Sequence, residues 1–151
     1  MGNQAYGYGF YLTDYYECAK EYSGNGYVLT VSVPKIKYLS YSGISMSEKN
    51  NIAKKLFKYY TEIDKYGKEA YPTQETRQEF WENECKYILD CETGGNVYGI
   101  IASIIGSDKE TSEFLKSIGY IGIKFPGSDG NTGKKFTNYV IFDARDIIVM
   151  E

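Results

Sequence analysis

The residues whose types and spacing could do chemistry are Gly7-Tyr8-Gly9-Phe10-Tyr11-Leu12-Thr13-Asp14 and, eleven positions after Tyr11, Tyr22. A tyrosine offers a flat apolar face with a polar tip, a shape suited to stacking and to interfaces. The glycines alone say little, because closely spaced glycines usually relieve a turn or bulge. The run does not continue to the third glycine of a dinucleotide-binding turn, and no phosphate-cradling loop leads into the helix that follows. The chain contains no histidine. Serine–histidine triads, cysteine–histidine dyads and histidine zinc sites within it are thereby excluded. Two readings of Tyr11 and Tyr22 stay open: core packing of a strand on a helix, and a ligand-facing pair.

Charge narrows the partners. Seventeen basic residues against 20 acidic ones give a net charge of −3. Duplex nucleic acid is not expected, since its affinity comes chiefly from neutralised phosphates, and Arg77 and Arg145 are the only arginines. Tyrosine is in surplus, at 17 of 151 residues. The cysteines, Cys18, Cys85 and Cys91, cannot all pair, and a reduced protein is the simplest reading. Met1-Gly2-Asn3-Gln4 has neither a basic nor an apolar leader, and the longest apolar run, Val97 to Ile105, is too short to cross a membrane. A cytoplasmic location is expected.

The elements that must position these residues follow from pattern. Gly9 to Thr13 reads as a strand, and Asp14 with Glu17 forms a capping box for a helix over 14–23. Tyr27 to Val33 carries the clearest strand signal, by β-branched alternation, and Ile36 to Ser40 a weaker one. A helical block covers about 45–118. It holds a helix opened by Ser47-Glu48 and closed by Gly67, with Ile52, Leu56 and Ile63 at helical spacing. A second helix runs from Thr73 to Cys91 and is broken by Gly94-Gly95, and two more cover 96–105 and 108–117. Tyr120 to Phe125, Tyr139 to Phe142 and Ile147 to Met150 return to strands, with 126–135 a polar loop. Strands, a helical block, then strands without βαβ alternation predict an α+β fold in a single domain over 1–151.

Gly9-Phe10-Tyr11-Leu12-Thr13-Asp14, followed by Cys18-Ala19-Lys20-Glu21-Tyr22, resembles the second signature of diphtheria-toxin-type ADP-ribosyltransferases, the poly(ADP-ribose) polymerases included. Gly2-Asn3-Gln4-Ala5-Tyr6-Gly7-Tyr8-Gly9, residues 111–125 and Asn138-Tyr139-Val140-Ile141-Phe142-Asp143 are similar to segments of the domains found in phage polyvalent and head-morphogenesis-associated proteins. The resemblance implies a split β-sheet core. It also implies that Tyr11 and Tyr22 sandwich the nicotinamide ring of NAD, an electron-poor ring between two electron-rich ones, worth roughly 1–2 kcal/mol per ring. Gln4, Gly9, Thr13 and Cys18 complete the implied nucleotide site, with Cys18 where the family often has a serine.

The departures bear on activity. Neither a histidine nor an arginine precedes Arg77, so the basic residue of the family's first strand is not matched. Asn138 stands where the polymerases carry a catalytic glutamate, and a neutral amide cannot supply that charge. Lys134-Lys135 beside the glycine-rich loop is a phosphate contact on this reading. The resemblance therefore implies a pocket for NAD or an ADP-ribose-type nucleotide, and transfer of ADP-ribose to a host protein if the chain is active. The alternative is an inactive, phage-type counter-defence protein, working in a bacterial host cytoplasm. Such a protein would sequester a nucleotide signal or block a host defence protein in the manner of an anti-CRISPR. The missing first strand would also leave a sheet edge beside Gly9–Thr13, an expected route to a homodimer.

Overall fold

The computed structural model describes residues 6–24, 26–61 and 71–150. Gln4, Asn25, Ile63 and Gly67 lie outside the described residues. The architecture is mixed α+β, with two open sheets and five α-helices among the described residues. The larger sheet has the order β1 (Phe10–Thr13), β5 (Lys135–Ile141), β4 (Gly122–Ser128), β3 (Tyr38–Ser40). β1 and β4 run antiparallel to β5, whereas β3 and β4 are parallel. Parallel neighbours need a long crossover, and the helical block supplies it. One βαβ connection thus exists where none was expected. β2 (Val31–Ser32) and β6 (Ile148–Val149) form a separate two-stranded ribbon.

The crossover consists of α2 (Met46–Thr61), α3 (Gln74–Asn83), a 3-10 helix over Cys85–Asp90, α4 (Gly94–Ile105) and α5 (Asp108–Ser117). Local chemistry sets its boundaries. Ser45 and Glu48 make the capping box that opens α2, two residues ahead of the expected Ser47 start. Thr73, Thr93 and Ser107 each accept a backbone N–H three residues on, starting α3, α4 and α5. Gly94-Gly95 opens α4 behind the Thr93 cap rather than breaking a helix. The expected helix to Cys91 stops at Asn83 and tightens into the 3-10 turn, which buries Cys85 and Ile88. The buried Lys49 reaches across from α2, its Nζ donating to the Cys91 carbonyl at 2.8 Å.

The core lies between this block and one face of the sheet. Leu39, Ile123 and Val140 from the sheet meet Val97, Ile101 and Leu115 from the helices, all fully buried. Each such side chain contributes about 1.5–3 kcal/mol of hydrophobic burial. The chain segment ahead of β1 is fastened to the same block through hydroxyls. Tyr98 Oη accepts from Tyr8 N at 3.1 Å and lies 2.9 Å from both the Asp108 carbonyl and Ser112 Oγ. Ser112 Oγ donates to the Tyr8 carbonyl at 2.7 Å.

Three further expectations are corrected. α1 spans Tyr16–Tyr22 with Tyr15 as its uncapped N-terminal residue, so Asp14 and Glu17 form no capping box. Asp14 extends the β1–β5 ladder instead: its N–H donates to the Thr137 carbonyl, and its carboxylate accepts from Thr137 N at 2.8 Å. Of the Tyr27–Val33 strand signal only Val31–Ser32 is paired. β4 runs on through Pro126 to Ser128, inside the expected loop. β3 stops pairing at Lys124, so the proline's missing N–H falls where β4 has become an edge.

Tyr98→Phe should lower unfolding stability by about 1–3 kcal/mol, because it strands the Tyr8 amide and the Asp108 carbonyl in a part-buried position. Urea denaturation at constant slope checks this; a loss under about 0.5 kcal/mol would mean that the clamp is not structural.

Candidate functional site

Sheet register decides which of the candidate residues meet. Thr13 pairs with Asn138, and Asn138 with Phe125; Tyr11 pairs with Val140, and Val140 with Ile123. Directly opposed residues share a face, and every second residue along a strand joins them. Tyr11, Thr13, Asn138, Phe125, Phe136 and Gly127 therefore occupy one face, the one the helical block covers at its Leu39–Ile123–Val140 end.

Beyond that covered end the face is lined by aromatic rings. Tyr6 stacks on Phe125 with centroids 3.9 Å apart, and Tyr41 meets Tyr6 edge-on at 5.2 Å. The Tyr11 ring approaches Phe125 edge-on at 6.5 Å. Its hydroxyl donates to the Gly7 carbonyl at 2.6 Å and accepts from Tyr6 N at 3.1 Å. Burial pushes the Tyr11 phenol up, so the hydroxyl keeps its proton. On the far side Tyr15 stacks on Phe136 at 4.8 Å, with Lys134 Nζ 5.4 Å from the Tyr15 ring centre.

Asn138 sits between these two groups of rings. It is half-buried, and its carboxamide makes no hydrogen bond among the described residues. Gly127 lets the Phe136 ring and the Asn138 carboxamide pack onto its backbone, since a Cβ there would lie 2.3 Å from the ring and 2.8 Å from Asn138 Nδ2. Gly9 is buried at the start of β1, where a Cβ would come within 2.6 Å of the Ile141 carbonyl oxygen. Any side chain there would push β1 off β5. Thr13 turns its Oγ1 to the Tyr15 amide, at 3.3 Å.

Tyr22 stands apart. It ends α1 at 89% exposure against 38% for Tyr11, and its side chain makes no ring contact or hydrogen bond among the described residues. The structure thus joins Tyr11, Thr13 and Asn138 and leaves Tyr22 out in solvent. Cys18, on α1, is a half-buried free thiol, and Cys85 and Cys91 are free as well. Burial pushes the Cys85 thiol up to about 12 and raises that of Cys91, so neither is a nucleophile at neutral pH. Two clefts, of about 580 and 640 Å³, lie in the helical block around Trp81 and around Tyr87; neither is lined by Tyr11, Tyr22 or Asn138. Tyr6, Tyr15, Phe125 and Phe136 were not singled out from sequence, because only the long-range register brings them beside Asn138.

The carboxylates next to this face are already engaged. Asp14 accepts from Thr137 N. Asp129 accepts from the amides of Asn131 and Thr132 and from the Tyr15 hydroxyl, at 2.8, 3.2 and 2.8 Å. These donors hold the Asp129 carboxyl below the usual carboxylate range, and the same hydrogen bond pushes the Tyr15 phenol up. Among the described residues no helix is long and apolar enough to cross a membrane. Comparison with protein-family models, with curated proteins and with solved structures gives no match to this chain.

A depressed carboxyl pKa means that the Asp129 contacts are intact above the ordinary aspartate value of about 3.9 and are lost as pH falls through the lower folded value. An NMR pH titration should place the Asp129 midpoint below that of a free aspartate, and Tyr15→Phe should move it upward. An unmoved midpoint would show that the Tyr15 hydroxyl does not contribute.

Proposed function

We propose that this chain is an ADP-ribosyltransferase-like domain that holds NAD or an ADP-ribose-type nucleotide on the aromatic sheet face beside Asn138. The observation that carries the reading is the Asn138 carboxamide. It is half-buried among rings, opposite Thr13 and one row from Tyr11, with no partner for its donor or its acceptor among the described residues. Its polar atoms stay open to solvent, since no buried side-chain polar atom among the described residues lacks a partner, and they complement the amide and heterocycle edges of a nucleotide. The rings on either side offer planar surfaces for a base or for nicotinamide, and Lys134 at the rim supplies a cation for a phosphate.

Holding is favoured over transfer. Cleaving the nicotinamide bond builds positive charge on the ribose, and a neutral amide at Asn138 does little to stabilise it. Asp14 and Asp129, the carboxylates beside the face, are occupied by backbone and tyrosine donors. Tyr22, exposed at the end of α1, closes no sandwich with Tyr11. A domain that binds the nucleotide and leaves it whole suits sequestration of a nucleotide signal.

Calorimetric titration of the full chain with NAD and with ADP-ribose tests this. Binding should weaken about tenfold in Asn138→Ala, the loss of roughly one well-made hydrogen bond, with nicotinamide release at background. Asn138 makes no side-chain hydrogen bond among the described residues, so this variant should fold. Absent binding, or binding indifferent to Asn138, would overturn the reading; nicotinamide release that stops in Tyr11→Ala would replace holding by transfer.

A further inference from the structure

The turn between β4 and β5 carries a cation, Lys134, beside the candidate site. Side chains alternate along β5, so Lys134, just ahead of that strand, shares the face of Phe136 and Asn138, and Lys135 turns to the other. Both peptide groups of Lys134 are fixed. Its N–H donates to Thr132 Oγ1 at 3.2 Å, and its carbonyl accepts from Asp129 N at 2.8 Å. Gly133, at φ +72°, lets the turn close, its N–H donating to the Asp129 carbonyl at 2.8 Å. The exposed ammonium lies 5.4 Å from the Tyr15 ring centre and makes no ion pair among the described residues.

The carboxylate nearest to Lys134 along the chain is Asp129, and Tyr15 keeps it engaged. Asp129 Oδ1 accepts from the amides of Asn131 and Thr132, and Oδ2 accepts from the Tyr15 hydroxyl at 2.8 Å. Tyr15 is itself fixed, half-buried with its ring 4.8 Å from that of Phe136 and 15° from parallel to it. One side chain thus acts on the cation twice. Its ring attracts the ammonium, and its hydroxyl occupies the carboxylate that would otherwise neutralise it. Asp14 is bonded to Thr137 N, and Glu17, exposed on α1, makes no ion pair with Lys134.

We propose that Tyr15 positions Lys134 as a phosphate anchor, and that this pair makes the aromatic face select phosphorylated ligands over nucleosides. The inference rests on the nucleotide reading of the face beside Asn138. Lys134 and Asn138 stand four residues apart, on the order of 13 Å of extended backbone. A base with its ribose is shorter than that span, and a phosphate-bearing extension covers the remainder. A phosphate also forms its strongest hydrogen bonds with a cation that no carboxylate has claimed, which is the state in which Tyr15 keeps Lys134.

Calorimetric titration of the full chain with ADP-ribose and with adenosine, over a salt series, tests the inference. ADP-ribose should bind about tenfold more tightly, with a salt dependence that adenosine lacks. Lys134→Gln should remove both the difference and the salt dependence, and leave adenosine binding as it was. Tyr15→Phe keeps the ring and releases the Asp129 carboxylate, so it should weaken ADP-ribose alone, by about threefold. Adding Asp129→Asn to Tyr15→Phe should restore binding, which a merely structural role of Tyr15 would not allow. Equal affinity for the two ligands would overturn the inference, as would a Tyr15→Phe loss that Asp129→Asn leaves in place. ADP-ribose binding that Asn138→Ala weakens and Lys134→Gln does not would overturn it while the nucleotide reading stands. No binding of ADP-ribose at all would overturn both.

Discussion

The Tyr98 hydroxyl, 3.1 Å from the Tyr8 amide, and Ser112 Oγ, 2.7 Å from the Tyr8 carbonyl, hold both polar groups of one peptide residue that lies far away in sequence. Tyr98 and Ser112 are themselves buried, in α4 and α5, so the clamp is anchored in the helical core. The described residues ahead of β1, 6–9, are registered through it. With Tyr8 fixed, Gly9 can lie against the Ile141 carbonyl, β1 pairs with β5, and Thr13 comes to stand opposite Asn138. Hydroxyl bonds in a nearly dry site are strong when satisfied and costly when broken, so this connection is close to all-or-none.

The clamp also explains how a short edge strand can carry a site. β1 has four residues and, among the described residues, one strand partner, too little to hold this face by ladder bonds alone. Tethering at Tyr8 on one side and at Asp14, bonded to Thr137, on the other fixes both ends. Between those ends Tyr11 is locked by its own hydroxyl onto the Gly7 carbonyl. The face is therefore pre-organised before any ligand arrives, and ordering it would not draw on binding energy. What it offers is a set of planes and one free carboxamide. The proposed function rests on that chemistry: a flat, amide-bearing ligand is held rather than broken.

Much of this was legible in the sequence. Thr13 ends a glycine-flanked aromatic strand, and the helical block and the closing strands declared themselves through spacing and turn residues. Two kinds of information were not local. Asp14 reads as a helix cap by type and position, but Thr137, more than a hundred residues on, competes for the same carboxylate and wins it. The residues over 27–33 read as a strand by every intrinsic preference, and among the described residues only Val31 and Ser32 pair in a ladder, with one further bond from Met150 N to the Thr30 carbonyl. Propensity shows what a segment can do; pairing depends on which edge is within reach. The aromatic neighbours of Asn138 belong to the same class. Phe125 and Phe136 come beside it through cross-strand register, which sequence spacing does not encode.

The central claim is that the face built by β1, β4 and β5 is a nucleotide-binding surface. An amide-resolved NMR titration of the full chain with ADP-ribose tests it most directly. The account predicts shifts grouped at Gly9 to Thr13, at Gly127 and at the Asn138 backbone and carboxamide. Shifts grouped instead around Trp81 or Tyr87, at the clefts of the helical block, or no shifts at saturating ligand, would contradict it.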